Sequence, residues 1–251
     1  MTTTLAFLGE FGDALEFIFE GTTTREGNDV GGTQFLELAW EHMKLVLVSM
    51  AIACAIAVPL GLWLGHIGKG EFFAISLSNV GRAVPSLALI AFFVAYLGVG
   101  FTNVTLALVL LAIPPILTNA YVGVRQVDRD TVDAARGMGM KEGEIVRRVE
   151  LPLALPLVFG GVRISMVNVL ATATIAPLAG VDSLGDPIIN VNTYGETGRL
   201  AAAIVVAALA VFTELSLGAA QRAVTPKGLK LESEQQSRRR IPFLTRREAT
   251  T

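Results

Sequence analysis

The 251-residue chain has a single cysteine, Cys54, set inside an apolar run. One thiol forms no internal disulfide and no metal site of its own, so Cys54 reads as a small buried apolar side chain. Charge is also scarce: 17% of residues are charged, where soluble domains carry roughly 25%. With 52% hydrophobic residues and a mean hydropathy of +0.58, the composition is that of a membrane protein and excludes an ordinary soluble domain. The net charge of −2 gives no hint of nucleic-acid binding, and no nucleic-acid partner is expected. No Gly-x-x-x-x-Gly-Lys-Ser/Thr loop occurs, so the chain lacks that means of cradling nucleotide phosphates. Its two histidines, His42 and His66, fall near opposite ends of one apolar segment and are not expected to share a site. There is no Cys/His cluster, Gly-x-Ser-x-Gly elbow or spaced carboxylate pair, and so no catalytic or metal constellation. The acidic start MTTTLAFLGEFGDALEF lacks the basic region and cleavage site of a signal peptide, which leaves targeting to the first transmembrane helix.

What is present is a series of long apolar runs. A bilayer core about 30 Å thick needs about 20 helical residues to cross it. Five spans are predicted, over residues 45–64, 83–101, 104–124, 155–179 and 200–220, and the second helix can begin as early as Phe72. Pro59, Pro85, Pro114, Pro115, Pro156 and Pro177 fall in or near them and predict kinked or broken helices. The loop between spans three and four carries Arg125, Arg129, Arg136, Lys141, Arg147 and Arg148, and the C-terminal tail carries Lys227, Lys230 and five arginines. The positive-inside rule places both in the cytoplasm. The acidic N-terminal segment and the loop with Asp182, Asp186 and Glu196 then lie outside, giving an N-out, C-in topology that an odd span number satisfies. Trp40 and Trp63 flank span one as interfacial anchors. Three regions follow: an acidic extracytoplasmic segment 1–43, a transmembrane domain 44–222 with a charged loop 125–152, and a polar cytoplasmic tail 223–251. Leu5, Phe7, Leu8, Phe11 and Leu15 suit either an amphipathic surface helix or a partly ordered tail, and the C-terminal residues read as disordered.

The charged loop holds the clearest local pattern. Asp130 is the expected N-cap of a short helix, with Asp133 in its first turn at the positive end of the dipole. Ala134, Ala135 and Arg136 continue the helix; Gly137 and Gly139 end it, where a left-handed backbone is needed. A second short helix is expected over residues 141–149, stopped by Pro152. Ala134 and Ala135 with Gly139 offer a small-residue surface that another protein's backbone can approach closely.

The spacing Asp133-Ala134-Ala135, then Gly139, then Val149 and Leu151-Pro152, resembles the cytoplasmic motif of ABC importer permeases, with Asp133 where the family usually has Glu. Arg136-Gly137-Met138-Gly139-Met140, Val149-Glu150-Leu151-Pro152-Leu153-Ala154-Leu155-Pro156 and Ala83-Val84-Pro85-Ser86-Leu87 narrow the likeness to permeases for glycine betaine, carnitine and choline. It covers about residues 45–220; Ser183-Leu184-Gly185 matches the family's Gly-Leu-Gly turn in altered form. The resemblance implies an all-α membrane protein with a five-helix permease core. It implies a coupling helix at Asp133, Ala134, Ala135, Arg136, Gly137 and Gly139, with Leu151 and Pro152 closing the motif, that docks on a separate ABC ATPase subunit. It further implies a second permease copy or a related permease, an extracytoplasmic substrate-binding protein, and a bacterial inner-membrane location. This chain would bind no cofactor; ATP and Mg would be used by the ATPase.

Polar residues inside spans are candidates for the pathway. Asn119, Asn168, Thr172 and Glu214 are named as such, with Thr174 and Arg163, for which interhelical hydrogen bonding or snorkelling is the plainer reading. Glu214 is a possible partner of Arg163. Gly61 with Gly65, and Gly160-Gly161, mark close helix packing rather than a pore. Trp63, Tyr96 and Tyr121 are too scattered to cage a quaternary ammonium, so a low-affinity passage is expected, with recognition left to the binding protein. Asn103-Val104-Thr105 is a chance match to a glycosylation acceptor. The rival readings are a permease of this architecture for another small solute such as an amino acid, and a self-contained secondary transporter; the latter lacks visible internal repeats.

Overall fold

A computed structural model describes residues 2–23, 29–72, 76, 81 and 83–225. Helix α1 spans Thr2–Phe19. The strands β1 (Thr22–Thr23) and β2 (Asp29–Val30) pair antiparallel, the only sheet among the described residues. Helix α2 is Thr33–Ile67, α3 is Ser86–Leu97 and α4 is Phe101–Arg125. Two short helices, α5 (Arg129–Gly137) and α6 (Glu142–Ile145), lead through a π-helical turn, Val146–Glu150, into α7, Leu151–Thr172. A 3-10 segment, Ala173–Ala179, follows, then α8 (Asp186–Ile189) and α9 (Val191–Val224), which bends at Gly195.

Four of the described helical stretches are long and apolar enough to cross a membrane: Thr33–Ile67, Phe101–Arg125, Glu142–Ala179 and Val191–Val224. The predicted second span appears as α3, whose 12 residues rise only about 18 Å. Pro85 holds an extended backbone just ahead of it and Gly98 turns the chain at its end. The earlier start at Phe72 falls mostly outside the described residues, as do the tail beyond Thr225 and its lysines and arginines. At 35 residues, α2 rises about 52 Å, so it runs well beyond the predicted span at its N-terminal end.

The core forms where α2, α4 and α7 approach one another. Small residues set those distances. A Cβ on Gly61 would stand 2.6 Å from the Leu117 carbonyl oxygen, and one on Gly161 2.8 Å from that of Pro115. The packing role expected of Gly61, Gly65 and Gly161 is therefore met; Gly160 instead borders open space. Leu45, Val46, Ala53, Leu108, Ile116 and Leu170 fill the centre, and Ser165 Oγ donates to the Ala112 carbonyl at 2.8 Å. A second cluster joins α1 to α2 and α9, with Phe17 edge-on to Phe35 at 5.9 Å. Of the two readings of the N-terminal segment, the structure thus gives a helix packed against the bundle. Leu47, Ile52, Ile56, Leu60, Phe212 and Leu215 stay exposed. Water would penalise such a surface, whereas lipid satisfies it.

Candidate functional site

The loop between α4 and α7 folds into a compact hairpin. Asp128, not Asp130, caps α5: its Oδ1 accepts from the Asp130 N–H at 3.0 Å, and Asp130 becomes the first-turn acid. Both aspartates suit either role, and the residue at the end of the incoming turn takes the cap. At the other end the Met140 N–H donates to the Ala135 carbonyl at 3.3 Å and the Gly139 N–H to the Arg136 carbonyl at 3.0 Å. With Gly139 at φ +86°, this is a Schellman closure, and it needs the glycine. Met140 completes it by packing on Val132, Ala135 and Ile145.

That packing divides the predicted motif. Asp133, Ala134, Arg136, Gly137, Met138 and Gly139 face outward. Ala135 is 2% exposed and faces the hairpin's own core, so the expected small-residue surface is Ala134 with Gly137 and Gly139. Leu151 packs beneath the hairpin against the cluster of Leu62, Ala120, Val124 and Ala154. Pro152 does not end the second helix. The Leu151 N–H bonds back five residues to the Val146 carbonyl, and this wider π turn absorbs the donor that proline lacks.

An ionic chain runs through the hairpin that sequence reasoning missed. Arg136 Nη1 meets Asp133 Oδ1 at 2.7 Å, and its Nε and Nη2 grip both Glu142 oxygens at 2.8 and 3.0 Å. The hydrogen bonds it donates to Glu142 hold the Arg136 guanidinium above its ordinary range. Glu142 Oε2 lies 3.0 Å from His66 Nε2, and His66 Nδ1 lies 2.8 Å from Oε2 of Glu150. Glu150 is fully buried. His66 sits in the last turn of α2, 84 residues from Glu150 in sequence. Apolar periodicity carries no trace of that partnership.

Three of the four candidate pathway residues face open space. Asn168 and Thr172 border a cavity of about 430 Å³ with Pro114, Pro115 and Ile164. Asn168 also borders a second, of about 480 Å³, with Gly160, Arg163 and Glu214. Asn119 is placed otherwise: its Nδ2 donates to the Pro115 carbonyl at 2.8 Å on its own helix. Arg163 pairs with Glu214 and donates to Gln221 Oε1 at 2.7 Å, tying α7 to α9. Thr174 Oγ1 donates to the Ala171 carbonyl at 2.7 Å. At the end of α2 away from the hairpin, Glu37, Trp40, Glu41, Asp182, Asp186 and Tyr194 line an acidic cavity of about 590 Å³. Asn103 is 7% exposed and its Nδ2 donates to the Gly98 carbonyl, which agrees with a chance motif. In the altered turn, Ser183 Oγ donates to the Ala173 carbonyl and accepts from the Gly185 N–H, each at 3.0 Å.

Residues 57–227 match the family described as binding-protein-dependent transport system inner membrane component. The chain is 38% identical over 200 residues to the carnitine transport permease protein OpuCB of Listeria monocytogenes, covering 79% of this chain and 92% of that protein. It is 36% identical, with the same coverage, to the glycine betaine/carnitine/choline transport system permease protein OpuCB of Bacillus subtilis. Among solved structures, an inward-facing form of the MetNI methionine ABC transporter superposes with a TM-score of 0.65 at 22% identity, covering 76% of this chain and 96% of that one. An amino acid ABC transporter matches at a TM-score of 0.54 and 19% identity, over 76% of this chain and 92% of its own. These two likenesses concern the fold.

Proposed function

This chain belongs to the family of binding-protein-dependent transport system inner membrane components, with the fold of an ABC importer permease, and on that premise we propose that its cargo is a quaternary-amine osmoprotectant of the glycine betaine, carnitine and choline type. The observation that carries the cargo assignment is 36–38% identity over 79% of the chain to permeases named for those solutes. The outward face of α5, from Asp133 to Gly139, is the surface that meets a separate ATPase subunit. That partner uses ATP and Mg; this chain contributes the pathway and binds neither. A second copy of the chain or a related permease completes the pathway, with Asn168, Thr172 and Glu214 facing it. A binding protein delivers solute on the side opposite the hairpin, which the basic charge of the loop places in the cytoplasm.

In this reading the ATPases, on closing over ATP, displace the hairpins and shift the population of inward- and outward-facing states. The force passes from α5 through the turn at residues 138–141 into a continuous helical stretch, Glu142–Ala179, that includes α7. The test is uptake of labelled glycine betaine at high salt in a host lacking its own osmoprotectant importers, with the partner subunits supplied. Uptake that unlabelled carnitine or choline competes away supports the assignment. Uptake blocked by an amino acid instead, or none for betaine with all subunits present, assigns this architecture to another solute.

A further inference from the structure

His66 touches two carboxylates on two different elements at once. Its Nε2 faces Glu142 Oε2 at 3.0 Å on α6, and its Nδ1 faces Glu150 Oε2 at 2.8 Å in the π turn. The ring side chain is 5% exposed, and the Trp63 ring lies 5.7 Å from it. A neutral imidazole has one N–H and one bare lone pair. Set between two ionised carboxylates, it would satisfy one and repel the other. The geometry therefore requires one additional proton, and the buried Glu150 carboxyl, bonded to the ring, is placed to hold it. Arg136 stands beyond Glu142, clasping it with two hydrogen bonds, and is the nearest fixed cation in the cluster. Glu150 Oε1 has no hydrogen-bond partner, so His66 is the one side chain bonded to that carboxylate among the described residues.

Simple packing does not call for this arrangement. A buried ion pair is no more stabilising than apolar side chains of similar volume, and leaving one member unpaired is strongly unfavourable. What the cluster supplies is a fixed link. From Asp133 on the exposed face of α5 the contacts run unbroken through Arg136, Glu142 and His66 to Glu150 at the root of α7. They join the hairpin to α2 as well as to α7, and α2 has no covalent connection to the hairpin nearer than α4.

We propose that His66 is a positioning residue that clamps the ATPase-facing hairpin to α2 and α7, so that displacement of α5 moves both membrane helices together. This rests on the hairpin being the ATPase-docking element. The clamp is complete while the Glu150 carboxyl holds the additional proton and opens as rising pH removes it. The groups facing His66 are Glu142 and Glu150, with Arg136 behind Glu142 and Arg125 beside Gly68 at the end of α2.

The test uses the full complex in proteoliposomes, reading glycine betaine accumulated per ATP hydrolysed across a pH series. His66→Gln has no ring to bridge both carboxylates. It is expected to lower accumulation per ATP about fivefold or more, the lower end of ordinary coupling effects, and to flatten the pH profile. Glu150→Gln lets a neutral ring donate to Glu142 and accept from the new amide; it should keep the coupling yet lose the pH dependence. His66→Gln with unchanged coupling and pH profile overturns the proposal. Failure of the wild type to move betaine counts against the cargo assignment alone, because a second measurement is independent of cargo. Hydrogen exchange of the hairpin amides in the same complex should quicken in His66→Gln, and equal rates there overturn the clamp whatever the solute.

Discussion

Gly139 and Gly185 are required for different reasons, and their substitutions separate assembly from function. Gly139 sits at φ +86° with nothing within 4 Å of where a Cβ would be. A side chain there costs about 1–2 kcal/mol of backbone strain and meets no neighbour, so Gly139→Arg should reach the membrane in near-normal amount, as an immunoblot of membrane fractions would show. At Gly185 a Cβ would stand 1.6 Å from the Thr174 carbonyl oxygen, which is backbone and cannot step aside. Gly185→Ala should therefore exceed the ~1–3 kcal/mol usual for overpacking and deplete the protein from the membrane in the same assay. The first requirement is legible in sequence, because Gly139 follows a run of helix formers at the spacing of a C-terminal cap. The second depends on backbone eleven residues away brought back by a 3-10 turn, and local propensity does not encode it. His66 shows the same limit: its role depends on carboxylates 76 and 84 positions distant, and its place in the last turn of an apolar helix suggested nothing of them.

At the scale of elements, apolar runs mark where the long helices cross but not how far they extend. Helix α2 continues N-terminally as far as Thr33 because Phe35 and Leu38 bury against α1 and α9, a tertiary contact that hydropathy windows do not see. The continuity of α6, the π turn and α7 was likewise hidden, since Pro152 reads as a helix stop unless the turn before it can widen. Between α7 and α9 the tie is Arg163 with Glu214, a pairing that sequence could suggest only because both stand in otherwise apolar helices. Replacing Arg163 by Glu sets two acids against each other in apolar surroundings. The single variant should lose membrane abundance and thermal stability in detergent, and the exchanged pair Arg163→Glu with Glu214→Arg should recover much of both. Recovery absent in the double variant would show that the tie acts through Gln221, which Arg163 also holds.

For the whole molecule, the hairpin and the acidic cavity lie at opposite ends of α2, so membrane orientation decides which partner each can meet. The chain's lone cysteine makes orientation measurable. In a Cys54→Ala background, Asp182→Cys should react with a membrane-impermeant thiol reagent on intact cells, whereas Asp133→Cys should react only after the membrane is opened. The reverse pattern would place the hairpin outside and exclude contact with a cytoplasmic ATPase. On the proposed function, the outward face of α5 transmits the work of ATP hydrolysis to the membrane helices that carry an osmoprotectant. The most direct measurement of that transmission is ATP-driven glycine betaine accumulation in proteoliposomes holding the ATPase, the binding protein and either the wild-type permease or Gly139→Arg. The account predicts accumulation that requires ATP with the wild type, and ATP hydrolysis without accumulation, or loss of both, with Gly139→Arg at equal protein content. Accumulation by Gly139→Arg at the wild-type rate, or by the wild type without ATP, would contradict it.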